Sequence, residues 1–210
     1  MPRNGRASGS GEAGVSGDKS LDTPDPEARA RQICLRLLTA APRTRSQLAQ
    51  AMHRDGVPAE AAEAILVRFT DAGLIDDAAF ARAWVESRHH SRGLSRRSLS
   101  AELRRNGVQN EEIRAAVDAL DPEHEVATAR LLVERKLAGS RGRPPDTRVR
   151  QAAGLLARKG YPPGLVFRLV REVMEQEGQG EPIGFEMDED QYDADQYDAN
   201  QYADPDEPLG

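Results

Sequence analysis

A threefold internal repeat is the feature that most constrains how this chain can fold. Three segments each place a glycine four positions after an apolar residue and directly before another one: Met52, Gly56 and Val57; Leu103, Gly107 and Val108; Leu156, Gly160 and Tyr161. A basic residue stands two positions before each glycine, and apolar residues follow it at offsets of 6, 10 and 13 positions. This periodicity predicts a tandem array of supersecondary units that stack on their neighbours.

The residues around these segments indicate that each unit is helical. Each unit opens with an aspartate, and prolines follow Asp25 and Asp121, as at the start of many helices. Each glycine suits the left-handed residue that ends a helix. Only 4% of the residues are aromatic, which favours helices over sheets. We therefore predict an all-α fold of three tandem three-helix repeats in an elongated, curved array, with disordered tails at both termini.

The same signals set the boundaries. The three repeats are expected at residues 25–75, 76–120 and 121–177, between disordered tails at 1–24 and 178–210. The predicted helices are 26–40, 45–54, 59–72, 77–91, 96–106, 110–120, 122–138, 147–159 and 163–177. Thr44 and Gln47 predict a capping box at the second of them. The third repeat is longer than the others, and the loop from Ala138 to Pro145 is the expected place of its insertion.

Charge is unevenly divided along the chain. Residues 28–180 hold 26 Lys and Arg against 19 Asp and Glu, whereas residues 181–210 hold 11 acidic residues and no basic one. A basic body with an acidic, low-complexity tail indicates contact with a polyanion.

The sequence offers little for catalysis, so we predict that the protein is not an enzyme and uses no metal or cofactor. It has no glycine-rich phosphate loop, and its four histidines lack metal-ligand spacing. The adjacent Asp76 and Asp77 are expected to cap a helix. The single cysteine, Cys34, is expected to be buried and inert. Without an apolar stretch of membrane-spanning length or a signal sequence, the chain is expected to be a cytoplasmic monomer that contacts no membrane.

Two arginine-rich tracts are the candidate binding residues. Around the turn at Gly93, Glu102 is the only acid between Arg88 and Arg105, whereas a merely soluble surface usually mixes charges of both signs. Leu99 and Leu103 are expected to be buried and Arg97 and Arg104 to face away from them. The predicted phosphate contacts are Arg88, Arg92, Arg96, Arg97, Arg104 and Arg105 in the first tract, and Arg141, Arg143, Arg148, Arg150, Arg158 and Lys159 in the second.

Several of these segments together resemble the RecX family. Family motifs are matched in order by the stretch from Gly73 to Ala81, by Arg88 with the Arg92–Gly93 pair, by the stretch from Glu102 to Val108 and by the stretch from Leu156 to Tyr161. The resemblance covers about residues 27–177 and leaves the acidic tail unexplained. It implies a non-catalytic regulator that binds the groove of the RecA–DNA filament and inhibits the RecA ATPase and strand exchange in recombination, DNA repair and the SOS response.

Two other interpretations remain open at this point. The stretch from Ser46 to Met52 resembles part of a helix-turn-helix, so the chain would be a sequence-specific transcription regulator. Alternatively, the arginines would meet acidic proteins, and the chain would be a scaffold. The RecA interpretation predicts RecA and DNA as partners, with phosphate contacts that do not depend on base sequence.

Overall fold

The computed structural model describes residues 25–178. Within that range it contains nine helices and no strand, which confirms the all-α prediction for this part of the chain. The predicted tails at 1–24 and 179–210 lie outside the described residues. The helices are α1 (Pro26–Ala40), α2 (Arg45–Arg54), α3 (Ala59–Asp71), α4 (Asp77–Arg92), α5 (Arg96–Arg105), α6 (Asn110–Asp118), α7 (Pro122–Ala138), α8 (Pro145–Arg158) and α9 (Pro163–Gln176).

The helix ends form where the sequence places caps. Asp25 and Asp121 accept a hydrogen bond from the backbone two residues later, each with a proline in the first turn. Thr44 and Gln47 form the predicted capping box. The helix α8 begins two residues before its predicted start, because Pro145 is itself the first helical residue, a position where its missing N–H costs nothing.

Each group of three consecutive helices encloses its own apolar core. Leu48, Met52 and Leu66 are buried in the first, and Leu99 and Leu103 in the second. Leu156 and Tyr161 belong to the third core, which is formed by α7, α8 and α9. Met52, Leu103 and Leu156 occupy equivalent positions and are each 0% exposed. The predicted burial of Leu103 is therefore confirmed.

Neighbouring repeats meet through the ends of their second helices. At the first junction, the start of α2 lies against the end of α5: Thr44 Oγ1 donates to the carbonyl of Asn106 at 2.6 Å, and Ser46 packs on Gly107. At the second junction, the start of α5 lies against the end of α8: Ser95 N donates to the carbonyl of Lys159 at 3.0 Å. The three helices α8, α5 and α2 thus follow one another end to end, opposite to their order in the chain.

A glycine makes each of these close approaches feasible. Gly107 and Gly160 have φ values of 79° and 82°, a conformation that glycine adopts without strain. A Cβ at Gly107 would lie 2.2 Å from Ser46 Cβ, and one at Gly160 would lie 2.2 Å from Ser98 Oγ. Both positions therefore need glycine for its conformation and for its lack of a side chain.

None of the helices in residues 25–178 combines the length and the apolar character needed to cross a membrane.

Candidate polyanion-binding groove

The second junction forms an open groove of about 870 Å³ between repeats 2 and 3. Helices α4, α5, α7 and α8 each contribute to its walls. Five basic side chains line it, against a single acid, Glu102; the five are Arg92, Arg105, Arg135, Arg158 and Lys159. His89, His90 and His124 lie in the same walls. The groove therefore concentrates positive charge at the place where two repeats meet.

Lys159 lies close to two other cations of the groove, Arg92 and Arg158. Its half-buried Nζ donates to the carbonyl of Arg92. Burial lowers the pKa of this amine, and the nearby charges of Arg92 and Arg158 lower it further. A bound anion would offset this repulsion, because it interacts favourably with all three cations.

A buried histidine joins the two repeats beneath the groove. His89 is 4% exposed, and its Nδ1 lies 2.8 Å from the carbonyl oxygen of Leu94, within its own repeat. Its Nε2 lies 3.1 Å from Thr128 Oγ1 on α7, in the next repeat. The His124 ring is 5.5 Å away, measured between ring centroids. His89 therefore links α4 to α7, both of which line the groove.

Trp84, the only tryptophan of the chain, supports the single acid of the groove. Its Nε1 donates to Glu102 Oε2 at 2.8 Å, and its ring stacks on Phe80 with centroids 5.5 Å apart. The Arg88 guanidinium lies 4.4 Å from the centre of the Trp84 ring, at cation–π distance. Trp84 is half-buried: it packs against the core of the second repeat, and its polar edge makes the hydrogen bond to Glu102.

The twelve predicted contact residues divide into three groups in the structure. Four of them line the groove: Arg92, Arg105, Arg158 and Lys159. Five are exposed outside its lining: Arg97, Arg104, Arg141, Arg143 and Arg150. The remaining three make internal contacts: Arg88 with Trp84, Arg96 with Glu125 and the carbonyl of Leu120, and Arg148 with Glu177 and the carbonyl of Leu137.

Arg148 is a buried residue, contrary to its predicted role as a phosphate contact. The sequence places it in a phosphate-binding tract, but its side chain is 0% exposed. It donates to the carbonyl of Leu137 at 3.0 Å and forms a 2.5 Å ion pair with Glu177, so it joins the ends of α7 and α9 to α8. An arginine committed in this way stabilises the third repeat and is not a surface contact.

The sequence interpretation also missed residues of the groove. Arg135 and Leu131 lie one turn apart on α7, and Leu131 remains 51% exposed although it is apolar. Their spacing places them on one helix face. No local pattern shows that this face of α7 turns toward α5, because that depends on how the repeats join.

Cys34, Asp76 and Asp77 lie outside the groove lining and have structural contacts. Cys34 is buried, as expected, and burial raises the pKa of its thiol. The Asp76 carboxylate accepts from Ala79 N at 2.7 Å and caps α4, as expected. Asp77 accepts from Arg45 N at 2.8 Å across the first junction, and its pKa is raised by burial. Both carboxylates therefore have structural partners.

Comparison with known proteins assigns the family. Two sequence models match this chain: the second three-helix domain of RecX at residues 76–117 and the first three-helix domain at residues 30–69. The regulatory protein RecX of Thermobifida fusca is 59% identical over 154 residues, which cover 73% of this chain and 83% of that protein. The chain belongs to the RecX family.

Further relatives agree with this assignment. RecX of Streptomyces coelicolor is 55% identical over 77% of this chain and 86% of its own length, and that of Mycolicibacterium smegmatis is 40% identical over 73% and 84%. The crystal structure of RecX from Lactobacillus salivarius has the same fold, with a TM-score of 0.64 at 15% identity, over 71% of this chain and 97% of that one. The resemblance to the RecX family that the sequence motifs indicate is thus confirmed.

Proposed function

We propose that this protein binds the RecA–DNA filament, contacts DNA phosphates through the groove at the second junction, and inhibits ATP hydrolysis and strand exchange by RecA. The observation that carries the proposal is the convergence of five basic side chains on one groove that contains a single acid. Membership of the RecX family supports RecA as the partner. The protein acts by binding and supplies no chemistry of its own.

Charge and shape both favour a phosphate backbone as the ligand of the groove. Arginine binds phosphate oxygens with several donors held in a fixed plane, which suits backbone contact without base recognition. The groove is open rather than enclosed, so a continuous strand can pass along it. Arg97 and Arg104 are exposed on α5, opposite the buried Leu99 and Leu103, and extend the proposed contact surface beyond the groove.

The function is tested by measuring ATP hydrolysis by RecA on single-stranded DNA, with and without the full-length protein. We expect the rate to fall as the protein is added. The variant Arg105→Ala/Arg158→Ala should inhibit less, because it removes two exposed cations of the groove. The matched control is Arg31→Ala/Arg36→Ala, which removes the same charge from exposed positions on α1. A rate that the wild-type protein leaves unchanged would refute the proposal.

The phosphate contacts have a separate test. Trp84 donates a hydrogen bond to Glu102, which lines the groove. Because DNA bound in the groove would change the surroundings of this pair, the tryptophan fluorescence should change when DNA binds. On single strands, each phosphate contact adds about 0.7 to the magnitude of the slope of log affinity against log salt concentration. The groove variant, Arg105→Ala/Arg158→Ala, removes two cations, so the magnitude of its slope should be smaller by about 1.4 than that of the wild type. If the groove variant and the α1 control have equal slopes, the phosphates bind elsewhere.

A further inference from the structure

The turn that ends α2 has the same backbone structure as the turns that end α5 and α8, and each of those two turns contacts the start of another helix. Each second helix ends in what we call a glycine corner, defined as Asp55-Gly56-Val57, Asn106-Gly107-Val108 or Lys159-Gly160-Tyr161. In all three, the glycine has a φ of 74° to 82°. In all three, the glycine N–H and the next N–H donate to carbonyls of the last helical turn, at 2.9 to 3.2 Å. The corners are therefore interchangeable in backbone geometry.

Two of the corners hold the start of a helix, whereas no helix start among residues 25–178 lies in the third. The corner at Gly107 holds the start of α2, and the corner at Gly160 holds the start of α5. Both incoming helices begin with a hydroxyl residue, Thr44 or Ser95, that is at most 1% exposed. At Gly56, by contrast, a Cβ would meet nothing within 4 Å. A surface of the kind that binds helix starts elsewhere in the chain is thus exposed at this end.

We propose that the Gly56 corner binds the N-terminus of a helix of RecA, one that begins with Ser or Thr and carries an acidic residue in its first turn. The inference rests on the proposed function and adds a protein contact at the end opposite to the second junction. Next to the corner, a groove of about 550 Å³ between α2 and α3 provides further surface. Val57, Ala62 and Leu66 give it an apolar floor, and His53 and Arg54 are exposed beside it.

The charge of the open corner differs from that of the occupied ones. At the second junction, Arg96 of the incoming helix meets Glu125 in the first turn of α7, with Nε and Oε2 3.3 Å apart. The position of Glu125 in the repeat is taken at this end by Arg29, four residues after the capping aspartate in both cases. Arg29 and Arg54 are both exposed, as is Asp55 of the corner itself, whereas Glu63 of the adjacent groove is paired with Arg45. An occupant with an acid in its first turn complements these cations, and acids are also favourable at helix N-termini.

A second copy of this chain does not fit the corner. The second helix of the last repeat is α8, which begins at Pro145 and has Pro144 as its N-cap residue. Proline has no N–H, whereas the second junction uses the N–H groups of Ser95 and Arg96 as donors. A chain docked head to tail through α8 would lack the hydrogen bond to the carbonyl of Asp55 that corresponds to the one from Ser95 N to Lys159, and it would lack the second N–H that Arg96 donates to Glu125. The occupant is therefore a helix of a different protein.

The test is the variant Gly56→Asn, because asparagine tolerates a positive φ and adds a Cβ. At the two occupied corners, a Cβ would overlap the incoming helix at 2.2 Å. The matched control is Gly178→Asn, at a φ of 72° and with no atom within 4 Å of a Cβ. Binding of the full-length proteins to filaments of RecA on single-stranded DNA is measured, together with binding to the same DNA alone and with sedimentation of each protein by itself.

We expect Gly56→Asn to weaken filament binding about tenfold or more, while Gly178→Asn binds like the wild type. Affinity for DNA alone should be unchanged in both variants. Arg54→Glu should also weaken filament binding, and its control Arg36→Glu should not, which keeps the test valid if Gly56→Asn folds poorly. Equal filament affinity of Gly56→Asn and Gly178→Asn, with Arg54→Glu also unaffected, would overturn the inference and leave the proposed function standing.

Two other outcomes also count against the inference. If Gly56→Asn alters self-association of the protein alone and leaves filament binding unchanged, the corner binds a second copy. If the wild-type protein fails to bind the filament, the proposed function and this inference both fall.

Discussion

The junction between repeats can be tested quantitatively by adding one methyl group at Gly107. In Gly107→Ala, the new Cβ would lie 2.2 Å from Ser46 Cβ, so the first junction must open or shift. The variant also forces alanine into a left-handed conformation, since the φ of Gly107 is 79°. The predicted loss of stability therefore has a conformational part and an overlap part.

Gly56→Ala separates the two parts. Gly56 has a φ of 74°, and a Cβ there meets nothing within 4 Å, so its cost is conformational alone, about 1–2 kcal/mol. Overpacking in a tight contact costs about 1–3 kcal/mol more, so Gly107→Ala should be destabilised beyond Gly56→Ala by that amount. The effect of alanine on the unfolded chain is about the same at both positions and cancels in the difference.

The free energies of unfolding are measured by urea denaturation followed by circular dichroism. Ser46→Gly removes the atoms that collide with the new methyl group, so combined with Gly107→Ala it should recover most of the overlap cost. The double-mutant cycle isolates this coupling from the helix propensity of residue 46. The proposed junction contact is refuted if Gly107→Ala costs no more than Gly56→Ala, or if Ser46→Gly gives no recovery.

Three further predictions follow from burial and charge. Leu103→Ala should cost about 2–5 kcal/mol in urea unfolding, since the side chain is fully buried, and a cost below about 1 kcal/mol would contradict its place in the core. Arg148→Ala should cost about 3 kcal/mol, the lower end for a broken buried pair because Glu177 is 20% exposed, whereas the exposed Arg150→Ala should change thermal stability little. Deleting residues 181–210, which hold 11 acids, should tighten binding to nonspecific DNA most at low salt; equal affinities at about 50 mM salt would rule out competition by the tail.

Local features of the sequence predict the helices and their ends well. The aspartates, prolines and glycines that limit each helix act through hydrogen bonds and backbone angles within a few residues, so they can be recognised without the fold. The buried positions of Leu99 and Leu103 follow likewise from helical spacing. Both kinds of feature recur at equivalent positions of the three repeats, so aligning the repeats identifies them.

The binding groove could be predicted only in part, because it depends on contacts between distant residues. The partners of Arg148 lie 11 and 29 residues away in sequence, and nothing near it distinguishes it from the exposed Arg150. Arg135 enters the groove because α7 faces α5 across the second junction. The sequence identifies a basic region, and the packing of the repeats decides which of its side chains converge.

The separation of the three apolar cores has a consequence for folding and exchange. Each core is closed by three consecutive helices, so most stabilising contacts join residues close in sequence and the chain should fold quickly. Because hydrogen bonds and a few close side-chain contacts link the repeats, each repeat can open as a separate cooperative unit. Amide hydrogen exchange should therefore show three protection levels along residues 25–178. Such a chain can engage a long partner one repeat at a time, without unfolding the rest.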